Sequence, residues 1–174
     1  MAFRDVDPDE LAKLTETFRR YGADDPESWA RSELAEGIPQ LAIFSFAKAM
    51  WACVADEDDD RWIDQEIQWV KDRPNDPCAQ IGPALAEMLS KGVSRRAIID
   101  LVRVIQYGTL YHIASLIDGA RIEDVPIRNW TLYQVDENDH LVAIIQGLHE
   151  VLLSLDPTGR EMRPRESDIK DWLP

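Results

Sequence analysis

The residues best able to do chemistry in this 174-residue chain are carboxylates and three histidines. His149 and Glu150 stand side by side, as at the start of the zinc-protease helix motif. The position that should hold the second histidine is Leu153, so the motif fails. The sequence also has no nucleophile-elbow, phosphate-loop or dinucleotide-binding glycine pattern. We therefore expect no metal and no cofactor, and we favour a protein without catalysis of its own.

Glu66 is the carboxylate with the most unusual predicted surroundings. It falls in the middle of an apolar arc on a predicted helix over residues 61–71, formed by Trp62, Ile63, Trp69 and Val70. A carboxylate among indoles would be desolvated, which is the condition that a general acid or a ligand anchor requires. Alternatively, the helix edge is exposed, or Glu66 pairs with an arginine of a neighbouring helix, for which Arg96 and Arg103 are candidates.

A second candidate site lies near the C-terminus, where a turn signature, residues 156–159 (DPTG), is followed directly by Arg160 and Glu161. Together with His149 and Glu150, these two residues form the binding site that we expect if the polar C-terminal region holds one. The turn itself needs no ligand to explain it, and a structural role is the alternative.

Three acidic residues imitate part of a calcium loop. Asp56, Asp58 and Asp60 take positions 1, 3 and 5 of an EF-hand-like pattern, but Arg61 and Ile67 stand where glycine and glutamate are required. We predict a solvated loop and helix cap here.

The other histidines and the two cysteines carry weaker signals. His112 lies in an apolar helical pattern, so we predict a hydrogen-bonded core residue, whereas His140 should be exposed in a hairpin. Cys53 and Cys78 have no motif spacing, and buried, inert thiols are the default expectation.

The charge balance limits the possible partners. With 33 acidic against 19 basic residues the net charge is −14, which repels phosphate backbones and anionic lipid surfaces. We therefore expect no nucleic acid and no membrane, and a basic protein as a possible partner. The N-terminal segment has no apolar core of a secretory signal, so we expect the cytoplasm. The oligomeric state is not predicted.

The elements that would position these residues are mostly helices. Local signals predict six to seven helices in a single-domain bundle, with a body over residues 1–129, a docked unit over 130–165 and a tail over 166–174. The docked unit begins with strand-like runs over 130–135 and 140–145 and continues as a short helix. Long helices over 39–55 and 95–118 should be central, and Gly108 suggests a close helix crossing or a bend.

Two segments, WTLYQVDEND and GLHEVLLSLDPTGREMRP, carry a resemblance, supported by residues 28–39. On these segments the chain resembles a family of small bacterial cytosolic proteins of unassigned function. The resemblance covers about a third of the chain and implies no activity. The favoured function is therefore a small acidic interaction protein, such as an immunity or antitoxin type. The alternative is a small enzyme or ligand-binding protein that uses Glu66 or His149 and Glu150.

Overall fold

The computed structural model describes residues 5–119 and 131–165. Within these ranges the chain forms seven α-helices, one 3-10 helix and a two-stranded antiparallel sheet. This confirms the predicted mostly α fold with a small hairpin near the C-terminus. None of the described helices is both long enough and apolar enough to cross a membrane. The elements are α1 (Pro8–Arg20), α2 (Pro26–Glu36), α3 (Gln40–Trp51), α4 (Arg61–Asp72), α5 (Ile81–Ser90), α6 (Arg95–Ile117), β1 (Leu132–Val135), β2 (Leu141–Ile145) and α7 (Leu148–Leu152), with the 3-10 helix at Leu153–Leu155.

The first two helices begin and end where their local sequence requires. The Asp7 side chain accepts hydrogen bonds from the backbone N–H groups of Asp9 and Glu10, at 2.8 and 3.2 Å. Asp25 accepts one from Ser28 N–H at 3.2 Å, and α2 ends at Gly37, whose φ is 72°. These contacts satisfy free backbone groups at helix ends, so they form independently of the tertiary structure.

The chain divides into two compact units. Unit 1 comprises the residues up to Trp51 and those from Tyr111 onwards, and unit 2 comprises Ala52–Leu110. The single domain that we expected stays a prediction.

The core of unit 1 is aromatic. Phe18, Ala30 and Phe44 are buried, and the rings of Phe18 and Phe44 meet edge to face with centroids 5.7 Å apart. The Trp51 indole donates a hydrogen bond to the Leu152 carbonyl at 2.8 Å, which ties α7 to the end of α3.

The core of unit 2 is formed by four buried aliphatic residues from α4, α5 and α6: Ile63, Leu85, Ile98 and Ile99. Helices α4 and α5 approach closely at Gly82, because a Cβ built there would lie 2.7 Å from the Cβ of Val70. Only glycine fits this approach without movement of a helix.

The predicted long helix over 39–55 is wrong at its C-terminal end. The structure ends α3 at Trp51, and the next residues run without regular structure toward the start of α4. Cys53 is therefore exposed instead of buried in a helix, and Cys78 is exposed in a loop with a φ of 68°. The prediction of two buried thiols is wrong.

The close crossing that Gly108 suggested is not found in the described part of the chain, and the alternative, a bend, stays a prediction. A Cβ built at Gly108 meets no described atom within 4 Å outside its own helix. The close approach is at Gly82 instead, at the start of α5, where no helix crossing was predicted.

The two glycines should respond oppositely to alanine. We expect Gly82→Ala to lower the free energy of unfolding by about 1–3 kcal/mol, because the added methyl group overlaps Val70. Gly108→Ala should raise it by about 0.5–1 kcal/mol, since alanine costs less backbone entropy in a helix. Urea unfolding followed by circular dichroism measures both. Equal effects of the two substitutions would contradict the close packing at Gly82.

Candidate functional site

Unit 2 contains a cavity of about 550 Å³. Its wall is formed by residues 52–56, by Asp59 and by side chains of α4, α5 and α6. Most of the described lining side chains are apolar, and the ionisable carboxylates are Asp56, Asp59 and Glu66. No lysine, arginine or histidine is among the described lining residues. We call this space the Glu66 cavity.

Glu66 lies in this wall, as the helical arc suggested. The residue is half-buried and lines the cavity together with Trp62, one turn earlier on α4. Within the part of the chain that the structure describes, its carboxylate makes no hydrogen bond or ion pair. Trp62 Nε1 is likewise buried without a hydrogen-bond partner among the described residues. A buried N–H without a partner, such as Trp62 Nε1, is rare in protein interiors and calls for an explanation.

The two arginines expected as partners of Glu66 are bound elsewhere. Arg96 lies 3.0 Å from the Asp100 carboxylate and donates to the Glu57 carbonyl at 3.1 Å. Arg103 is buried, and its guanidinium donates to the carbonyl of Ala55. The predicted pairing of these arginines with Glu66 is not found.

Both backbone polar groups of Ala55 form hydrogen bonds with side chains of α6. Its carbonyl accepts from Arg103, and its N–H donates to Gln106 Oε1 at 2.8 Å. These bonds replace those that Ala55 would make in a continued helix, and they fix residues 52–56 as one wall of the Glu66 cavity.

Some acidic side chains of the run over 56–60 form ion pairs with arginines of the same unit. Arg61 binds Asp59 through two nitrogens, at 2.8 and 2.7 Å, and these bonds lower the pKa of Asp59 to about 2. Glu57 keeps only 11% of its side-chain surface exposed and lies 3.7 Å from Arg96. No group of three or more metal-binding side chains occurs among the described residues.

The N-terminal arginine of α6 is paired in the same way. Arg95 Nη2 donates to Asp64 at 2.7 Å, and this bond holds the pKa of Asp64 below its usual value. The pairing offsets the unfavourable position of a cation at a helix N-terminus.

His149 lies in unit 1, at the start of α7, and is paired with Asp118. Asp118 Oδ2 lies 2.6 Å from His149 Nδ1 and accepts the His149 backbone N–H at 2.9 Å. The Asp118 side chain is only 5% exposed, whereas that of His149 is 33% exposed. Asp118 Oδ1 is buried and has no partner among the described residues. Glu150, the other half of the predicted pair, is exposed.

Arg160 and Glu161 belong to a turn that is organised by Asp156. The buried Asp156 carboxylate accepts from Thr158 N–H and Oγ1 and from Met162 N–H, at 3.0, 2.7 and 2.8 Å. Arg160 Nε donates to the Arg163 carbonyl at 3.2 Å. Glu161 lies 2.6 Å from Arg163 Nη2. These contacts give the turn a structural role, and the proposed binding role of Arg160 and Glu161 stays a prediction.

The remaining histidines are both exposed. His140 lies 3.1 Å from the Asp136 carboxylate with 76% of its side chain exposed, so its predicted exposure is confirmed. His112 is exposed on α6 beside Tyr111, and the prediction of a core histidine is wrong. The apolar pattern around His112 suggested a buried helix face. However, α6 exposes large apolar side chains, such as Ile113.

Sequence reasoning missed Asp118, Arg103 and Gln106 as organising residues. Asp118 stands just before Gly119 at the end of α6, and 31 positions separate it from His149. The sequence shows Asp118 as a polar residue at a helix end. Such a residue does not indicate which distant group it will bind.

No protein-family model, curated protein or solved structure matches this chain. The function must therefore be inferred from the geometry of the sites.

The wall of the Glu66 cavity should depend on Gln106. We expect Gln106→Leu to lower the free energy of unfolding by about 1–3 kcal/mol, because it leaves the Ala55 N–H without an acceptor. Gln68→Leu is the control, since Gln68 is exposed and makes one long bond to Asp72 at 3.5 Å. Its effect should stay within about 0.5 kcal/mol. Urea unfolding measures both, and equal effects would show that the Ala55–Gln106 bond is unimportant.

Proposed function

We propose that this chain is a binding protein for a small organic cation with an apolar body, held in the Glu66 cavity. The observation that carries the proposal is the Glu66 carboxylate, which has no partner among the described residues of an otherwise mostly apolar wall. A buried or half-buried carboxylate is costly unless a cation or a hydrogen-bond donor compensates it. A bound ligand with an ammonium or amidinium group would supply that compensation.

The charges of the cavity wall favour a cation over an anion. Asp59 is neutralised by Arg61 and Asp56 is exposed, so Glu66 is the half-buried acid that lacks a counter-ion. An anionic ligand would find no basic side chain among the described lining residues. A neutral ligand would leave Glu66 uncompensated.

The size and composition of the wall fit a small molecule. A volume of about 550 Å³ lies within the range of ligand pockets, which are mostly apolar with a few polar groups that set orientation. The Trp62 ring in the same wall offers a face for a cation, and Leu85 and Met88 offer apolar surface for the body of the ligand.

Amine binding should require the Glu66 charge. In calorimetric titrations with straight-chain and arylalkyl amines of four to eight carbons, we expect at least one amine to bind the wild type. Glu66→Gln should weaken that binding about 10- to 100-fold, the value of a charge-assisted hydrogen bond. The matching alcohols should bind both proteins weakly and equally.

Glu87→Gln is the matched control for this experiment. Glu87 lies on α5 of the same unit, is exposed and pairs with Lys91 at 2.5 Å, so its neutralisation changes net charge but not the cavity. It should leave amine affinity unchanged. If no amine of the series binds, or if the two variants lose affinity equally, the Glu66 cavity is not a cation site.

A second candidate function is interaction with a basic protein in the cytoplasm. It is favoured by the net charge of −14 and by the β1–β2 ribbon, on which Leu141, Val142 and Ile144 are 67%, 58% and 43% exposed. Large exposed apolar side chains are one feature of interaction surfaces. The acidic run over 56–60 supports this function less, because Arg61 and Arg96 already bind parts of it.

The ribbon can be tested by replacing Leu141 and Val142 together with serine. If the ribbon binds a basic partner, a protein that co-purifies with the wild type from its native host should be lost with this variant and kept with Glu66→Gln. Retention of the partner by the ribbon variant would exclude the ribbon as its binding surface. Circular dichroism checks that the fold is unchanged.

A further inference from the structure

The pair formed by His149 and Asp118 lies in unit 1, whereas the lining of the Glu66 cavity belongs to unit 2. It joins the C-terminal end of α6 to the beginning of α7 and has no part in the proposed cation site. A buried carboxylate and a partly exposed imidazole are set against each other, which is the usual arrangement of an oriented, chemically active histidine.

The geometry favours a proton on one of the two ring nitrogens. An ionised carboxylate only accepts hydrogen bonds, so the 2.6 Å contact with Asp118 Oδ2 places a proton on His149 Nδ1. In the neutral ring Nε2 then holds a lone pair. Nε2 lies on the side of the ring away from Asp118, and a third of the His149 side chain is exposed. In this tautomer Nε2 has the lone pair that a base or a nucleophile needs.

A purely structural role explains only part of this arrangement. Asp118 does bind the His149 backbone N–H at 2.9 Å, as a residue that caps a helix would. That contact alone would not need the imidazole. The ring contact orients His149, and Asp118 Oδ1 is buried without a partner among the described residues. The Tyr111 ring stands edge to face with the imidazole, with centroids 6.1 Å apart.

We propose that His149 is a nucleophilic site that accepts an acyl group from a neutral activated ester or thioester. The Nε2 lone pair forms a bond to the carbonyl carbon, and the bond from that carbon to the ester oxygen or thioester sulfur breaks. The leaving group departs with the electron pair and is protonated by water. Asp118 stabilises the positive charge that develops on the ring, through the proton on Nδ1. Water then attacks the acyl-imidazole, releases the carboxylic acid and restores His149.

The charge of the molecule favours an acyl donor over a phosphoryl donor. Phosphoryl donors are multiply charged anions, and they would be repelled by a chain of net charge −14 and by the acidic neighbours Asp118 and Glu150. Neutral esters experience no such repulsion.

The test compares His149 with the chain's second Asp–His pair. Wild type, His149→Gln and His140→Gln are incubated with p-nitrophenyl acetate, and release of p-nitrophenolate is measured. We expect His149→Gln to lose most of the wild-type rate and His140→Gln to keep it. His140 is the matched control because it also faces an aspartate, but it is 76% exposed and its partner Asp136 is 38% exposed.

Asp118→Asn tests the positioning role of Asp118. The amide oxygen can take the place of Oδ2 and accept from both the His149 backbone N–H and Nδ1, but the amide has no negative charge to stabilise a positively charged ring. We expect the rate to fall at least about 10-fold. Nuclear magnetic resonance of the ring nitrogens should show the proton on Nδ1 in both proteins, so that the lower rate reports the lost charge. A residue with only a structural role would leave the rate of a folded variant unchanged.

Two results would overturn the proposal. One is a p-nitrophenolate rate that His149→Gln leaves unchanged. The other is an Asp118→Asn variant that is folded but keeps the full rate. Far-UV circular dichroism and the urea midpoint establish that each variant is folded, and if Asp118→Asn is not, the comparison of His149→Gln with His140→Gln decides alone. These outcomes do not affect the amine titration of Glu66→Gln, so the two proposed sites are tested independently of each other.

Discussion

The two hydrogen bonds that α6 makes to the backbone of Ala55 determine much of unit 2. Arg103 binds the Ala55 carbonyl, and Gln106 binds its N–H at 2.8 Å. Because both groups are thereby satisfied, residues 52–56 can leave the helical path without the cost of unpaired backbone groups. The same segment is one wall of the Glu66 cavity and exposes Cys53. The two bonds to Ala55 therefore also shape one wall of the Glu66 cavity.

The distribution of arginines explains why Glu66 stands apart. Arg61, Arg95 and Arg96 bind the acidic residues around the beginning of α4, and Arg103 is committed to a backbone carbonyl. Each compensates a charge or a polar group where the fold requires it. Among the described residues the Glu66 carboxylate has no such compensation, and it lies in a wall of low polarity where an electrostatic interaction would be strong. Departures from full polar satisfaction are typical of functional positions in natural proteins.

The two Asp–His pairs show how burial changes the same chemistry. Asp136 and His140 are four residues apart in a hairpin turn, where local geometry brings them together in water. Asp118 and His149 are 31 residues apart and meet only because α7 lies against the end of α6. The buried carboxylate of Asp118 contacts the His149 ring at Nδ1 away from water, whereas the exposed pair can exchange its hydrogen bonds with water. The difference gives His149 its proposed reactivity and makes His140 its control.

The sequence by itself determined the helix beginnings at Pro8 and Pro26, the end of α2 at Gly37, the mostly α class and the hairpin, because each depends on neighbouring residues or on a local periodicity. It also placed Glu66 on one arc with Trp62. Only the tertiary structure decided that α3 ends at Trp51, that Gly82 rather than Gly108 is the close helix approach, and that Asp118 is the partner of His149. These features depend on contacts between residues far apart in the chain, such as Ala55 with Arg103. A local pattern carries no information about which distant donor will satisfy a backbone group, so that choice appears only when the chain is folded.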